Sequence, residues 1–362
     1  MTTNPPWRMW LRLATVLAFW LVAPLPAQTP AGGGVPARVR LGNKTLDVLL
    51  LGVQADKVQY CYEDDRRVVM TLKVADVQSA YFKFDYDHAA LGKAAGTNDW
   101  NGAARILYEA TRNMLPYLML PENNAAPVAL QSANYLLRAA GVKSHCGVTA
   151  EDRKLADPEY KTARYILEQV AAAPWFEDAD LAQMRSISCL VMMNQLDDAQ
   201  KQFDSVSMPE KSANSYGQYW LTRAQLEAAK GDSRAALGSV VQSVLYATKD
   251  LDSFPDAVLL SARCYDSLQD WYRARDTYYE VARLFKGTHW AEAARGRLRD
   301  ILAKGVTREK EPTPIASVFF ASEEDMNDKV EELLGLKTPA KAGAPDKGGK
   351  TDGKADTKQG KS

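Results

Sequence analysis

The chain has 362 residues, with 45 acidic and 45 basic residues and therefore no formal net charge. Nucleic-acid binding needs a concentrated basic field, so this balance argues against nucleic acid as a partner. Hydrophobic residues make up 46% of the chain, which is ample for a core, and the length exceeds that of one ordinary domain.

Residues 1–27 are typical of an export signal. Arg8 and Arg12 precede the apolar run 13–22, and small residues suit cleavage before Gln28. The run is about half the length that a helix needs to span a bilayer, so we expect cleavage rather than an uncleaved anchor. We therefore expect a periplasmic or secreted protein with no integral membrane span after signal cleavage.

The next segments are predicted to be a linker and a β-rich domain. Residues 28–36 are rich in Gly, Pro and Ala and predict a flexible linker. Residues 37–85 contain five short apolar or alternating runs separated by turn residues, which predict a small five-stranded β-barrel. The pattern resembles the Sm-like or SH3-like barrels that precede helical repeats in exported bacterial proteins. Two roles fit it, a docking module or a cap over the first helices.

From residue 86 onward, alanine and leucine recur at helical spacing, as in the stripe over 103–114. This pattern predicts a helical domain over 86–305. One of its helices is expected to cover 126–140 and to end at Gly141 as a C-cap glycine.

Three alanines, Ala199, Ala236 and Ala274, align three pairs of helices, with spacings of 37 and 38 residues. Turn residues precede the second and third of them, at Gly231-Asp232 and Asp270-Trp271. Together with the small and aromatic residues around them, these positions resemble the tetratricopeptide repeat, whose period is about 34 residues. The resemblance implies a mainly helical, TPR-like α-solenoid of antiparallel hairpins, preceded here by the small β-barrel, so α+β overall. It also implies a scaffold that binds other proteins.

A second resemblance concerns the neighbourhood of the protein. The run 285–295 is similar to the inter-repeat linker and closing helix of envelope tetratricopeptide proteins, such as outer-membrane assembly lipoproteins and the coordinator proteins of the Tol-Pal system. It favours an envelope protein or peptide as the partner.

The family resemblance implies that certain first-helix positions line a concave groove. The candidate partner-binding residues are Gln218, Leu221, Gln225, Asp256, Leu259, Arg263 and Asp266, accompanied by the small residues Ala228, Ala229 and Ser267. A polar groove floored by small residues suits an extended peptide or a helix. The alternative is that these positions are simply solvated faces.

Beyond the repeats, residues 306–336 are predicted to form an extended segment and an amphipathic helix that opens at Ser322. This helix is expected to pack back on the last repeat, and binding of a partner is the alternative. Residues 337–362 are rich in Lys and Gly without large apolar residues, which predicts a disordered tail.

The sequence predicts no catalytic site, no metal and no cofactor. His88, His145 and His289 have no partners at metal-ligand spacing. Asp85 and Asp87 beside His88 form the only cluster that could coordinate a ligand, and polar residues are expected there anyway because a strand passes into a helix.

The four cysteines leave one question open. In an oxidising compartment an even count suggests disulfides, and Cys61 with Cys146 is the one pair we consider. The alternative is four free thiols, since Cys189 and Cys264 occupy equivalent positions of two repeats and are expected to be buried.

The sequence therefore predicts a non-enzymatic protein–protein interaction scaffold of the bacterial cell envelope. The alternative is a carbohydrate- or peptidoglycan-binding protein that uses exposed tryptophans. A third hypothesis is a divergent enzyme whose active site lies where the barrel meets the helices. The oligomeric state is not indicated.

Overall fold

The computed structural model describes residues 34–144, 146, 150–246, 250, 252–306 and 329–335. The predicted export signal at 1–27 and the predicted tail at 337–362 lie outside these residues. The chain divides into two compact units, 1–307 and 308–362.

In the second unit, residues 329–333 are helical, and Val330 and Leu334 are buried. Both lie within the segment 306–336, for which the sequence predicts an amphipathic helix. The predicted start of this helix at Ser322 lies outside the described residues.

The first unit begins with five antiparallel strands, in the order β4-β3-β2-β1-β5. The strands are β1 Val35–Leu41, β2 Lys44–Gln54, β3 Lys57–Tyr62, β4 Met70–Lys73 and β5 Ser79–Phe82. Residues on β1 alternate between buried and more exposed, as a strand with one covered face requires. This alternation starts at Val35, so the predicted linker end at residue 36 is wrong by two residues. A one-turn 3-10 helix, Val74–Asp76, separates β4 from β5.

The sheet shares its core with the helices that follow. Buried residues of the strands form one hydrophobic cluster with Leu118, Ala129 and Ile166. The free edge of β5 is covered, since the side chain of Asn124 accepts from Phe82 N at 2.8 Å and donates to Phe82 O at 3.1 Å. An edge strand paired in this way no longer offers open hydrogen-bonding groups to other chains.

The remainder of the first unit is helical. The α-helices are α1 His88–Gly96, α2 Trp100–Thr111, α3 Ala125–Lys143, α4 Ala150–Leu155, α5 Asp157–Ala171, α6 Ala179–Met192, α7 Leu196–Asp204, α8 Ser215–Ala229, α9 Ser233–Tyr246, α10 Ser253–Ser267, α11 Trp271–Leu284 and α12 His289–Ala303. Consecutive helices pack in pairs, and α6, α8, α10 and α12 also contact one another in that order. None of the helices in the described part of the chain has the length and apolar character needed to cross a membrane.

Small residues allow these helices to approach closely. Ala199, Ala236 and Ala274, the alanines that align the three pairs, are fully buried in α7, α9 and α11. Ala262 and Tyr278, from the most regular pair, are also fully buried.

A similar turn closes four of the helix pairs. One residue in each turn has a left-handed backbone, with φ of +59° at Asn98, +60° at Asn194, +88° at Gly231 and +60° at Gln269. Only a few residue types adopt this conformation readily, glycine first and asparagine next. Asn194 therefore supplies this conformation in the turn between α6 and α7, as Gly231 does in the turn between α8 and α9.

The prediction that α3 ends at Gly141 is wrong. The helix continues to Lys143, and Gly141 is needed for a different reason. A Cβ at this position would lie 2.7 Å from His289 Nε2, so the absence of a side chain lets α12 approach α3.

Candidate functional site

The first unit contains a cavity of about 270 Å³. Its walls come from α3, α6, α8, α10 and the start of α12, with Cys146, Arg153 and Tyr160 from the α3–α5 region. The contact between α3 and α12 brings the last helix of the array beside an early one. The cavity is thus bounded by helices from both ends of the helical region.

Most of the predicted groove residues face this cavity. Gln218, Gln225, Asp256, Leu259 and Arg263 line it, together with the predicted small residues Ala228, Ala229 and Ser267. Ala229 and Ser267 are exposed, and they mark the rim where the cavity meets solvent.

Two predicted groove residues have other contacts. Leu221 is buried in an apolar cluster with Ala224, Val240 and Ala257. Asp266 accepts a 3.0 Å hydrogen bond from Arg297 Nε and pairs with Nη2 of the same guanidinium. Neither residue lines the cavity.

Two ion pairs hold the wall of the cavity. Arg138 Nε lies 2.7 Å from Asp252 Oδ1. Arg185, which is only 5% exposed, donates to both Asp250 oxygens at 2.9 and 3.1 Å and to Asn134 at 2.5 Å. Burial acts to raise the pKa of Asp250, but the charge of Arg185 and hydrogen bonds from Ser253 and the backbone outweigh it and hold that pKa below its usual value.

These wall residues were not among the sequence-based candidates. Arg138 and Asp252 are 114 positions apart, and Arg138 lies in α3, outside the three helix pairs that the alanines align. No local pattern marks them as neighbours.

A buried polar network links α6, α8 and α10. Gln218 donates to Ser188 Oγ at 3.3 Å and to Thr222 Oγ1 at 3.2 Å, and it accepts from Ser253 Oγ at 2.6 Å. Because its hydrogen bonds are made within the protein, Gln218 positions three helices at the cavity wall.

Two titratable groups near α12 have strongly shifted pKa values. Asp256 accepts a 2.5 Å hydrogen bond from Trp290 Nε1, and burial raises the pKa of this carboxyl to about 6. Burial, assisted by the nearby charge of Arg138, lowers the pKa of His289 to about 4. At neutral pH His289 is therefore an uncharged ring, while Asp256 is largely ionised.

Arg263 and Gln225 line the cavity, and each also has buried polar atoms without a hydrogen-bond partner in the described part of the chain. The Nε and Nη2 atoms of Arg263 are buried and have no hydrogen-bond partner in the described part of the chain. The same holds for Oε1 of Gln225. Buried polar atoms are rarely left without partners.

The four cysteines, all described, are buried and free. Cys61 and Cys146 are therefore not paired, which favours the free-thiol alternative. Burial raises the pKa of Cys146 to about 12, so this cavity residue remains a thiol rather than a nucleophilic thiolate at neutral pH.

The acidic cluster before α1 is on the surface. Asp85 and His88 have side chains that are 92% and 73% exposed, and Asp87 caps α1 by accepting from Ala90 N at 2.9 Å. Among the described residues, no group of three or more potential ligands is placed to hold a metal ion. His145 lies outside the described residues.

Three tryptophans that could serve as exposed platforms are at least partly covered. Trp290 is 7% exposed and belongs to the core. Trp220 and Trp271 are half-buried, and cations lie over their rings, Arg223 at 5.3 Å and Lys304 at 4.1 Å.

Comparison with known proteins gives no match to this chain, either among protein-family models or among curated proteins.

Proposed function

We propose that this chain is a non-enzymatic scaffold of the bacterial cell envelope that binds another envelope protein or peptide. In this proposal residues 1–27 direct export, and the helices form a TPR-like α-solenoid of antiparallel hairpins. The sheet forms a small Sm-like or SH3-like barrel that caps the first helices.

One observation carries the proposal. Five of the seven predicted groove residues, chosen by their positions in two successive repeats, line the same cavity. Such agreement is expected if the first helices of the pairs share an inner face, because equivalent positions on stacked helices then point to one side. The contacts that run from α6 through α8 and α10 to α12 support the same stacking.

Two features support the proposed barrel. The five antiparallel strands are consecutive neighbours except that β5 pairs with β1, and the pairing of β2 with β3 is irregular. The register of β2 with β3 shifts between Leu50 and Gly52, and a bulge of this kind bends a strand. A bent β2 of 11 residues is long enough to turn from one face of a small barrel toward the other.

Carbohydrate binding gains no support from a specific observation. Sugar-binding tryptophans need exposed ring faces, whereas Trp290 is buried and the rings of Trp220 and Trp271 are covered by Arg223 and Lys304. Protein or peptide binding at the cavity face therefore remains the better supported function.

Position-specific crosslinking tests this function. A photoreactive residue is introduced at Ser267 or Ala229 on the rim, and at the exposed Tyr165 of α5 as a control. Each full chain is mixed with envelope extract of the source organism. We expect a common crosslinked partner from both rim positions and not from Tyr165. No product from the rim, or equal products from all three positions, would contradict the proposal.

A further inference from the structure

Most charged groups around the cavity are already engaged by other groups of the protein. Arg138 of the lining pairs with Asp252 at 2.7 Å. Arg185 holds both oxygens of Asp250, at 2.9 and 3.1 Å. A third arginine of the lining, Arg153, also has an interaction partner. Because these charges are engaged within the protein, they have little to offer to a charged ligand.

The remaining charges of the lining, Arg263 and Asp256, oppose each other. Burial raises the pKa of Asp256 to about 6, and the positive charge of Arg263 acts against that rise. The Nε and Nη2 atoms of Arg263 and Oε1 of Gln225 are buried, so they do not face a ligand. His289 is uncharged at neutral pH, because burial lowers its pKa to about 4. In the described part of the chain, the charges around the cavity are therefore balanced.

Apolar side chains from three helices supply open surface in the cavity. Leu137 comes from α3, Met192 from the end of α6 and Leu260 from α10. All three line the cavity, and all three are only partly buried. Removing such apolar surface from water is favourable. A group that covers these side chains therefore has to be apolar.

The volume of the cavity limits the size of that group. Folded proteins contain few voids larger than a water molecule, whereas this cavity has a volume of about 270 Å³. An apolar cavity of about 150 Å³ holds a molecule of benzene, and pockets for whole drug-sized ligands begin near about 300 Å³. The cavity is thus large enough for one large aliphatic or aromatic side chain.

Small residues form the rim through which such a side chain can enter. Ala229 is the last residue of α8, and Ser267 is the last residue of α10. Both line the cavity and are exposed, and Ala228 beside them is only partly buried. Because these side chains are short, a side chain of another protein can pass between them while its own backbone stays outside.

We infer that the cavity binds one large apolar side chain of the partner, inserted past Ala229 and Ser267. The inserted side chain contacts Leu137, Met192 and Leu260, and the backbone of the partner lies at the rim. This inference rests on the proposed function, and it names the chemistry by which the partner is recognised.

Calorimetric titration of the full chain with short peptides tests this chemistry. The probes are acetylated and amidated peptides of sequence Gly-Ser-X-Ser-Gly, in which X is leucine, phenylalanine, alanine, aspartate or lysine. We expect the leucine or phenylalanine peptide to bind at least about tenfold more tightly than the alanine peptide, as burial of a large apolar side chain provides. Equal binding of these peptides, tightest binding of a charged peptide, or no binding at millimolar concentration would overturn the inference.

A larger cavity should prefer a larger side chain. In Leu260→Ala we expect the affinity for the phenylalanine peptide, relative to the leucine peptide, to rise about tenfold. Met192→Ala enlarges the cavity from a different helix and should act in the same direction, so the result does not depend on the folding of one variant. Leu284→Ala is the matched control, since Leu284 is 50% exposed and does not line the cavity. An unchanged ratio in both cavity variants, or the same rise in the control, would overturn the inference.

Crosslinking from the rim separates failure of this inference from failure of the proposed function. A chain that crosslinks a partner from Ser267 and Ala229, yet does not prefer the leucine or phenylalanine peptide over the alanine peptide, binds that partner without an apolar anchor. That result overturns the inference alone. The absence of any crosslinked partner at the rim contradicts the proposed function itself.

Discussion

Asp256 is expected to destabilise the protein at neutral pH, and Asp256→Asn should reveal this. Burial raises the pKa of the carboxyl from 3.8 to about 6. A rise of about two pH units corresponds to about 3 kcal/mol, at 1.36 kcal/mol per unit. Asparagine cannot ionise, yet its Oδ1 can still accept from Trp290. We therefore expect the variant to be more stable than the wild type above pH 6, by up to about 3 kcal/mol.

The sign of the pH dependence follows from the raised pKa. At pH values below 3.8 the carboxyl is protonated in both the folded and the unfolded state, so the advantage of the variant should vanish. As the pH rises from 3.8 to about 6, the unfolded state loses its proton first and the wild type loses stability relative to the variant. His289 acts in the opposite direction, because its pKa falls from 6.5 to about 4. Its contribution is common to both proteins and cancels in their difference.

Urea unfolding of both proteins at several pH values between 4 and 7.5 measures this difference. Asp252→Asn is the matched control, since it removes the partner of Arg138 and should lower stability at pH 7.5. The reasoning is refuted if Asp256→Asn is no more stable than the wild type at pH 7.5. It is equally refuted if the difference in the free energy of unfolding between Asp256→Asn and the wild type does not decrease as the pH is lowered toward 4.

Two further variants test the wall of the cavity. Arg185→Ala leaves the carboxylate of Asp250 without its buried partner, so the free energy of unfolding should fall by about 3–5 kcal/mol in urea titrations, and a loss below 1 kcal/mol would contradict this. Gly141→Ala places a Cβ 2.7 Å from His289 Nε2, and the resulting overpacking should cost about 1–3 kcal/mol. Gly296→Ala is its control, because a Cβ there meets no atom within 4 Å and should stabilise α12 by up to about 1 kcal/mol. Similar melting temperatures for the two alanine variants would show that α3 and α12 are not in close contact.

Local patterns were sufficient to predict three of the helix pairs. Ala199, Ala236 and Ala274 mark second helices because close helix packing requires small residues at regular positions, and this requirement is visible in the sequence. The strands were likewise predicted from alternation, although the first strand begins at Val35, two residues before the predicted start of the β-rich domain. The Asn98-Asp99-Trp100 turn matches Gln269-Asp270-Trp271, so the same reasoning could have placed the turn before α2.

The cavity depends on contacts that no local pattern encodes. Arg138 contacts Asp252 across 114 positions of the sequence. Position 141 requires a glycine because His289 packs against it, not because a helix ends there. The groove positions implied by the repeat resemblance identified Arg263 and Gln225. They could not show that Leu221 is buried or that Asp266 is engaged by Arg297, because those outcomes depend on the neighbouring helix.

The most direct test of the account is whether the partner binds at the cavity face. The photoreactive residue at Ser267 is combined with Ala228→Trp, which places a large ring in the cavity lining, and the crosslinked yield is compared with that from Ser267 alone. The account predicts that the partner is lost while the helical circular dichroism signal stays the same. An unchanged yield of the same partner in a folded variant would contradict it.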